Sequence, residues 1–171
     1  IHLTTTIVCI QNGLGSEDVA RNHVKCPVVR ALTYISSEMI NPGQVKVVGM
    51  LPTYFEKKDQ DIARLFDKAG LQTVVVNDLR QQIWKKLVFN CVINGLGTIL
   101  GVSNNQLDKP QLTDIKKSIV TECQSVAKLE CINIDKNILD KINIFIKSST
   151  NVNSTLQDLQ RGKRTEVEYL N

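Results

Sequence analysis

A chain of 171 residues with 42% hydrophobic and 22% charged residues is long enough to bury one ordinary core or two small ones, which excludes a disordered tail. The formal net charge of +4 comes from dispersed lysines and arginines, so neither the stripe of a nucleic-acid binder nor a membrane-surface patch is present. No apolar run reaches the roughly 18 residues that a membrane-spanning helix requires. In chain order, Thr6 to Ile10 (TIVCI) reads as a buried parallel strand, closed by the turn Gln11-Asn12-Gly13-Leu14-Gly15, and a helix follows from Ser16 to about His23. Val28 to Ser36 and Gln44 to Gly49 are expected as strands joined through Pro42-Gly43 into a hairpin, making the sheet mixed at its edge. Lys58 to Ala69 has helical apolar spacing with Gly70 as its C′ residue, and Leu71 to Val76 is a further strand.

At Asn77-Asp78 the character changes. One of these residues is expected to cap a long helix, after which no segment reads as a strand. Thr113 to about Leu129 is a second long helix whose apolar stripe is Ile115, Ile119, Val120, Cys123, Val126 and Ala127, and Lys136 to Ile146 is a third. Ser154 is expected to cap the short helix STLQDLQR, which Gly162 ends. Thr165 with Glu168 forms a capping box that puts Glu166 in a first helical turn. The fold class is therefore α/β followed by all-α, divided near residue 77: residues 1–77 as part of a Rossmann-type domain, residues 78–171 as a helical domain. The five cysteines (Cys9, Cys26, Cys91, Cys123 and Cys131) are odd in number, lack C-x-x-C spacing and read as reduced core residues of a cytoplasmic protein. The opening IHLTTTIVCI runs straight into a strand and the closing EVEYLN resembles a helix start, so the sequence is expected to be a piece of a longer protein.

The segment Ile83 to Asn94 (IWKKLVFNCVIN) carries the chemistry. At 3.6 residues per turn Lys86, Asn90 and Asn94 fall on one narrow stripe, beside the apolar seam Ile83, Leu87 and Cys91. A cation and two carboxamides in so apolar a helix need polar partners. They form either one wall of a small-molecule site or a stripe whose Lys86 reaches solvent while the amides bridge neighbouring segments. Gln11-Asn12-Gly13 stands just beyond a strand's carboxyl end, where open α/β sheets bind ligands, though an ordinary tight turn has the same signature. Gly95-Leu96-Gly97 with Gly101 mimics a dinucleotide fingerprint but follows a helix rather than a strand, which suits close helix packing better than a phosphate. His2 and His23 lack zinc-ligand spacing, no Gly-x-Ser-x-Gly elbow is present, and no metal is expected.

Taken in order, Gln11-Asn12-Gly13-Leu14-Gly15, Trp84-x-Lys86-Leu87-x-x-Asn90-x-x-x-Asn94 and Ser154-x-Leu156-Gln157-Asp158-x-x-x-Gly162-x-x-Thr165-Glu166-x-x-Tyr169-Leu170-Asn171 resemble the ketopantoate reductases (2-dehydropantoate 2-reductases). The resemblance spans essentially the whole chain. It implies a two-domain dehydrogenase of the 6-phosphogluconate-dehydrogenase-like type, reducing 2-dehydropantoate to (R)-pantoate with NADPH for pantothenate and coenzyme A biosynthesis. It also implies Lys86 as general acid, Asn90, Asn94 and Ser154 as substrate ligands, Glu166 near cofactor and substrate, and Asn12 at the nicotinamide ribose. The family's glycine-rich phosphate loop and its 2′-phosphate-reading residues would precede Ile1, so the chain by itself is expected not to turn over. A related reductase of another 2-oxo acid, and a non-catalytic helical or dimerisation fragment, are the competing readings. The partner expected is a small 2-oxo acid, with homodimerisation open.

Overall fold

The computed structural model describes residue 2 and residues 4–170, with Glu38, Glu168 and Leu170 described by their backbone alone. It divides into two compact units, the first ending at Leu79 and the second beginning at Arg80.

In the first unit, β1 (Ile7–Cys9) pairs in parallel with β2 (Val28–Thr33), with α1 (Ser16–His23) as the connection. β5 (Thr53–Glu56) lies antiparallel to β2, and β6 (Thr73–Val76) lies parallel to β5, giving the order β1-β2-β5-β6. β2 is buried from Val29 to Leu32, as a central strand covered on both faces must be. Val29, Ala31 and Phe55 form the core with Ala63 of α2 (Gln60–Lys68), and Phe55 meets Phe66 edge to face at 5.0 Å. α2 ends in a Schellman motif: Leu71 N donates to Phe66 O (3.0 Å) and Gly70 N to Asp67 O (2.9 Å), with Gly70 at φ 83° as its position demands.

The expected long strand from Val28 to Ser36 is two strands. β2 stops at Thr33, and β3 (Ser36–Asn41) pairs with β4 (Gln44–Gly49) in a separate two-stranded sheet around Pro42-Gly43. Pro42 followed by a positive-φ Gly43 (78°) is a type II pattern, and the register shift between Met39 and Asn41 accommodates a turn that does not match strand twist. The antiparallel pairing of the main sheet accordingly lies at its centre, β2 against β5, and not at an edge. β5 escaped the sequence reading because four residues, TYFE, carry too little periodicity; only the flanking strands make it a strand.

The second unit is helical: α3 (Leu79–Leu100), α4 (Thr113–Leu129), α5 (Ile138–Ser148), α6 (Ser154–Gln160) and α7 (Val167–Leu170). Trp84, Val88, Val92, Ile93 and Leu96 of α3 pack with Leu107, Val120, Ala127, Ile138, Ile142 and Ile146 into one core. α4 departs from its expected stripe. Val120 and Ala127 are buried, whereas Ile115 and Val126 are 46% and 52% exposed, and Lys116 is buried in place of Ile115. Its ammonium bridges Leu107 O (3.2 Å) and Asn143 Oδ1 (2.8 Å), two acceptors that only the tertiary fold brings to it. Ser154 is the first residue of α6 rather than its cap; Asn153 takes that position. The Glu168 side chain of the expected capping box, and Asn171, lie outside the described residues. The cysteines are all free, but only Cys9 and Cys26 are buried, and Cys131 is exposed at φ 58° in the turn after α4. Among the described residues no helix is long and apolar enough to cross a membrane.

Candidate active site

α3 places Lys86, Asn90 and Asn94 on consecutive turns, each half-buried, beside buried Ile83 and Leu87. Cys91, in the same seam, hydrogen-bonds Cys123 of α4; that bond is the main reason its thiol is pushed well above the ordinary range, with burial adding to it. The seam therefore tethers α3 to α4 and leaves the polar stripe facing away from the core.

The last turn of that stripe is built jointly with α6. Asn94 Nδ2 donates to Thr155 Oγ1 at 3.2 Å, next to Ser154, which is exposed at the start of the helix. Asn153 holds this junction. It is 6% exposed, and its Oδ1 accepts from Leu156 N (2.9 Å) and from Thr98 Oγ1 (3.1 Å), so a single carboxamide caps α6 and fastens it to α3. The approach is close enough that a Cβ on Gly97 would stand 2.6 Å from Asn153 Nδ2. Gly95 and Gly97 thus lie inside a helix, and Gly97 serves packing, not a phosphate. Glu166 is exposed immediately before α7.

Asn12 belongs to the first unit. It sits half-buried in the turn after β1, and the carbonyls on either side of it, Gln11 O (2.8 Å) and Gly13 O (2.9 Å), accept from one nitrogen of Arg30. The other terminal nitrogen donates to Ser16 Oγ (2.8 Å) and Cys9 O (3.4 Å), and Glu17 Oε2 stands 3.6 Å from Nε. Arg30 is 7% exposed; burial lowers its pKa and the Glu17 carboxylate offsets part of that. The turn is therefore held from below by one guanidinium. Sequence reasoning missed Arg30, although a charge in the middle of VVRALT was the available signal: a cation inside a buried strand requires acceptors. Asn12 stands at a parallel strand's carboxyl end, followed by positive-φ glycines at 13 and 15, with open space beside Gly15. In open α/β sheets ligands bind just beyond the carboxyl ends of parallel strands, which is where this turn lies. Among the described residues no group of three or more His, Cys, Asp or Glu is gathered to hold a metal ion.

A solved ketopantoate reductase and a solved D-mandelate dehydrogenase share this fold. A PanE/ApbA family ketopantoate reductase from Ralstonia eutropha JMP134 superposes with TM-score 0.91 at 26% identity, over 99% of this chain and 58% of that one. A D-mandelate dehydrogenase in ternary complex with NADH and anilino(oxo)acetate gives TM-score 0.87 at 26% identity, over 97% and 58%. Among curated proteins, the 2-dehydropantoate 2-reductase of Pyrococcus abyssi is 30% identical over 174 residues, 96% of this chain and 58% of its own length. The chain thus spans about 58% of the relatives it matches. Residues 78–171 match the ketopantoate reductase PanE/ApbA C-terminal model and residues 1–60 match the ketopantoate reductase PanE/ApbA model. The chain belongs to the ketopantoate reductase PanE/ApbA family.

Proposed function

We propose that the protein containing this sequence reduces 2-dehydropantoate to (R)-pantoate with NADPH, in the cytoplasm, as a step toward pantothenate. The observation that carries the reading is the junction of Asn94 with Thr155 and Ser154, which joins the α3 stripe to the hydroxyl-bearing start of α6. The nicotinamide cofactor, when bound, supplies the hydride. Asn12 holds the nicotinamide ribose side, in a turn that Arg30 keeps rigid. Lys86 donates a proton to the keto oxygen as negative charge grows there, while Asn90, Asn94 and Ser154 hold the hydroxyl and carboxylate end of the substrate. Glu166 orients the site near cofactor and substrate.

The test is steady-state NADPH oxidation by the intact protein and its Lys86→Ala variant. Loss of the general acid lowers kcat by about 10²–10⁴-fold; near-normal turnover removes Lys86 from this role. A second reading, reduction of a different 2-oxo acid, is favoured by the fold shared with a D-mandelate dehydrogenase bound to NADH and anilino(oxo)acetate. A panel of 2-oxo acids with NADPH and NADH separates the two, because the leading reading requires the highest kcat/KM for 2-dehydropantoate with NADPH.

A further inference from the structure

Asn94 is half-buried in the middle of a helix, where an unrestrained carboxamide would sample several rotamers. One of its two N–H groups is committed to Thr155 Oγ1. Thr155 is itself immobilised: α6 is capped by Asn153, Asn153 is bonded to Thr98 of α3, and Gly97 lets the two segments approach to side-chain contact. With that N–H engaged, Asn94 retains one acceptor oxygen and one N–H, a pair that a hydroxyl satisfies as donor and acceptor together.

We propose that Thr155 is a positioning residue that holds the Asn94 carboxamide in the one orientation able to receive the hydroxyl of a hydroxylated 2-oxo acid. The inference rests on the assignment of Asn94 to the substrate. A preorganised amide avoids the ordering cost at binding, so Thr155 acts on KM and leaves the proton and hydride transfers alone.

The test is steady-state kinetics of the intact protein with 2-dehydropantoate and with its analogue lacking only the hydroxyl, 3,3-dimethyl-2-oxobutanoate. Thr155→Val keeps the shape and removes the hydroxyl; it is expected to raise KM for 2-dehydropantoate about 3- to 10-fold at nearly unchanged kcat. KM for the analogue is expected to stay within about twofold, and Thr155→Ser is expected to restore the wild-type value to the same margin. Equal effects on both substrates, or no effect of Thr155→Val where Asn94→Ala raises KM, overturn the role of Thr155 and leave the Asn94 assignment standing. An Asn94→Ala variant with unchanged KM overturns the assignment beneath it. If Thr155→Val does not fold, Thr155→Ala read on the same two substrates decides the question.

Discussion

Replacing Arg30 by methionine keeps the bulk of the side chain in the β2 core and deletes the fork that holds the Asn12 turn. Three short bonds disappear, to Gln11 O and Ser16 Oγ at 2.8 Å and to Gly13 O at 2.9 Å. Bonds from a charged donor contribute about 1.5–3 kcal/mol each, a gross effect partly offset because methionine has no guanidinium to desolvate. Three backbone carbonyls, of Cys9, Gln11 and Gly13, lose this donor, and Glu17, whose side chain is 19% exposed, loses the cation 3.6 Å away. The net cost of breaking such a buried charged arrangement is about 3–5 kcal/mol, a large share of a typical domain's stability. Denaturant melts give the free energy, and hydrogen exchange read by mass spectrometry on residues 9–16 localises it. Arg30→Lys retains the charge without the planar fork and is expected to fall between wild type and Arg30→Met. A methionine variant within about 1 kcal/mol of wild type, with unchanged exchange in that segment, would refute the account of Arg30 as the support of the turn.

Three other expectations follow from the same geometry. Gly97→Ala normally gains about 1 kcal/mol in a helix interior, but here the new Cβ meets Asn153 Nδ2 at 2.6 Å, so a net loss of about 1–3 kcal/mol is expected in denaturant melts. Burial lowers the Lys116 pKa below its ordinary 10.5, so the unfolded chain binds that proton more tightly; stability should rise with pH through the window below 10.5, and Lys116→Met should abolish that rise while costing about 1–3 kcal/mol at neutral pH through two orphaned acceptors. The Lys141 hydrogen bond, at 2.7 Å, holds the Asp135 carboxyl below its ordinary 3.8, so its contribution is present above pH 3.8 and lost as pH falls through the lowered value; Asp135→Asn should flatten the acid limb of the stability curve, and an unchanged limb would contradict this.

Where the chain's own local chemistry decides conformation, the residues were readable in advance. The β-branched run at β1, the Gly70 stop of α2 and the 3.6-residue spacing of Lys86, Asn90 and Asn94 are properties of neighbours in sequence, and the structure places each where that spacing requires. The three motifs that suggested the ketopantoate reductases were legible for the same reason, as fixed spacings of particular side chains. Tertiary structure decided the rest. TYFE becomes a strand only between β2 and β6, and the strand expected from Val28 to Ser36 breaks because Ser36 to Asn41 finds its partner in a separate hairpin. Lys116 is buried because Leu107 and Asn143, distant in sequence, supply acceptors, and Arg30 matters because carbonyls some twenty residues upstream converge on it. The cap of α6 is Asn153 rather than Ser154 because its amide is also drawn to Thr98 across a junction that Gly97 leaves open. Periodicity and capping are short-range and were written in the order of residues; the partner of a buried polar group is set by long-range packing, which that order alone does not reveal.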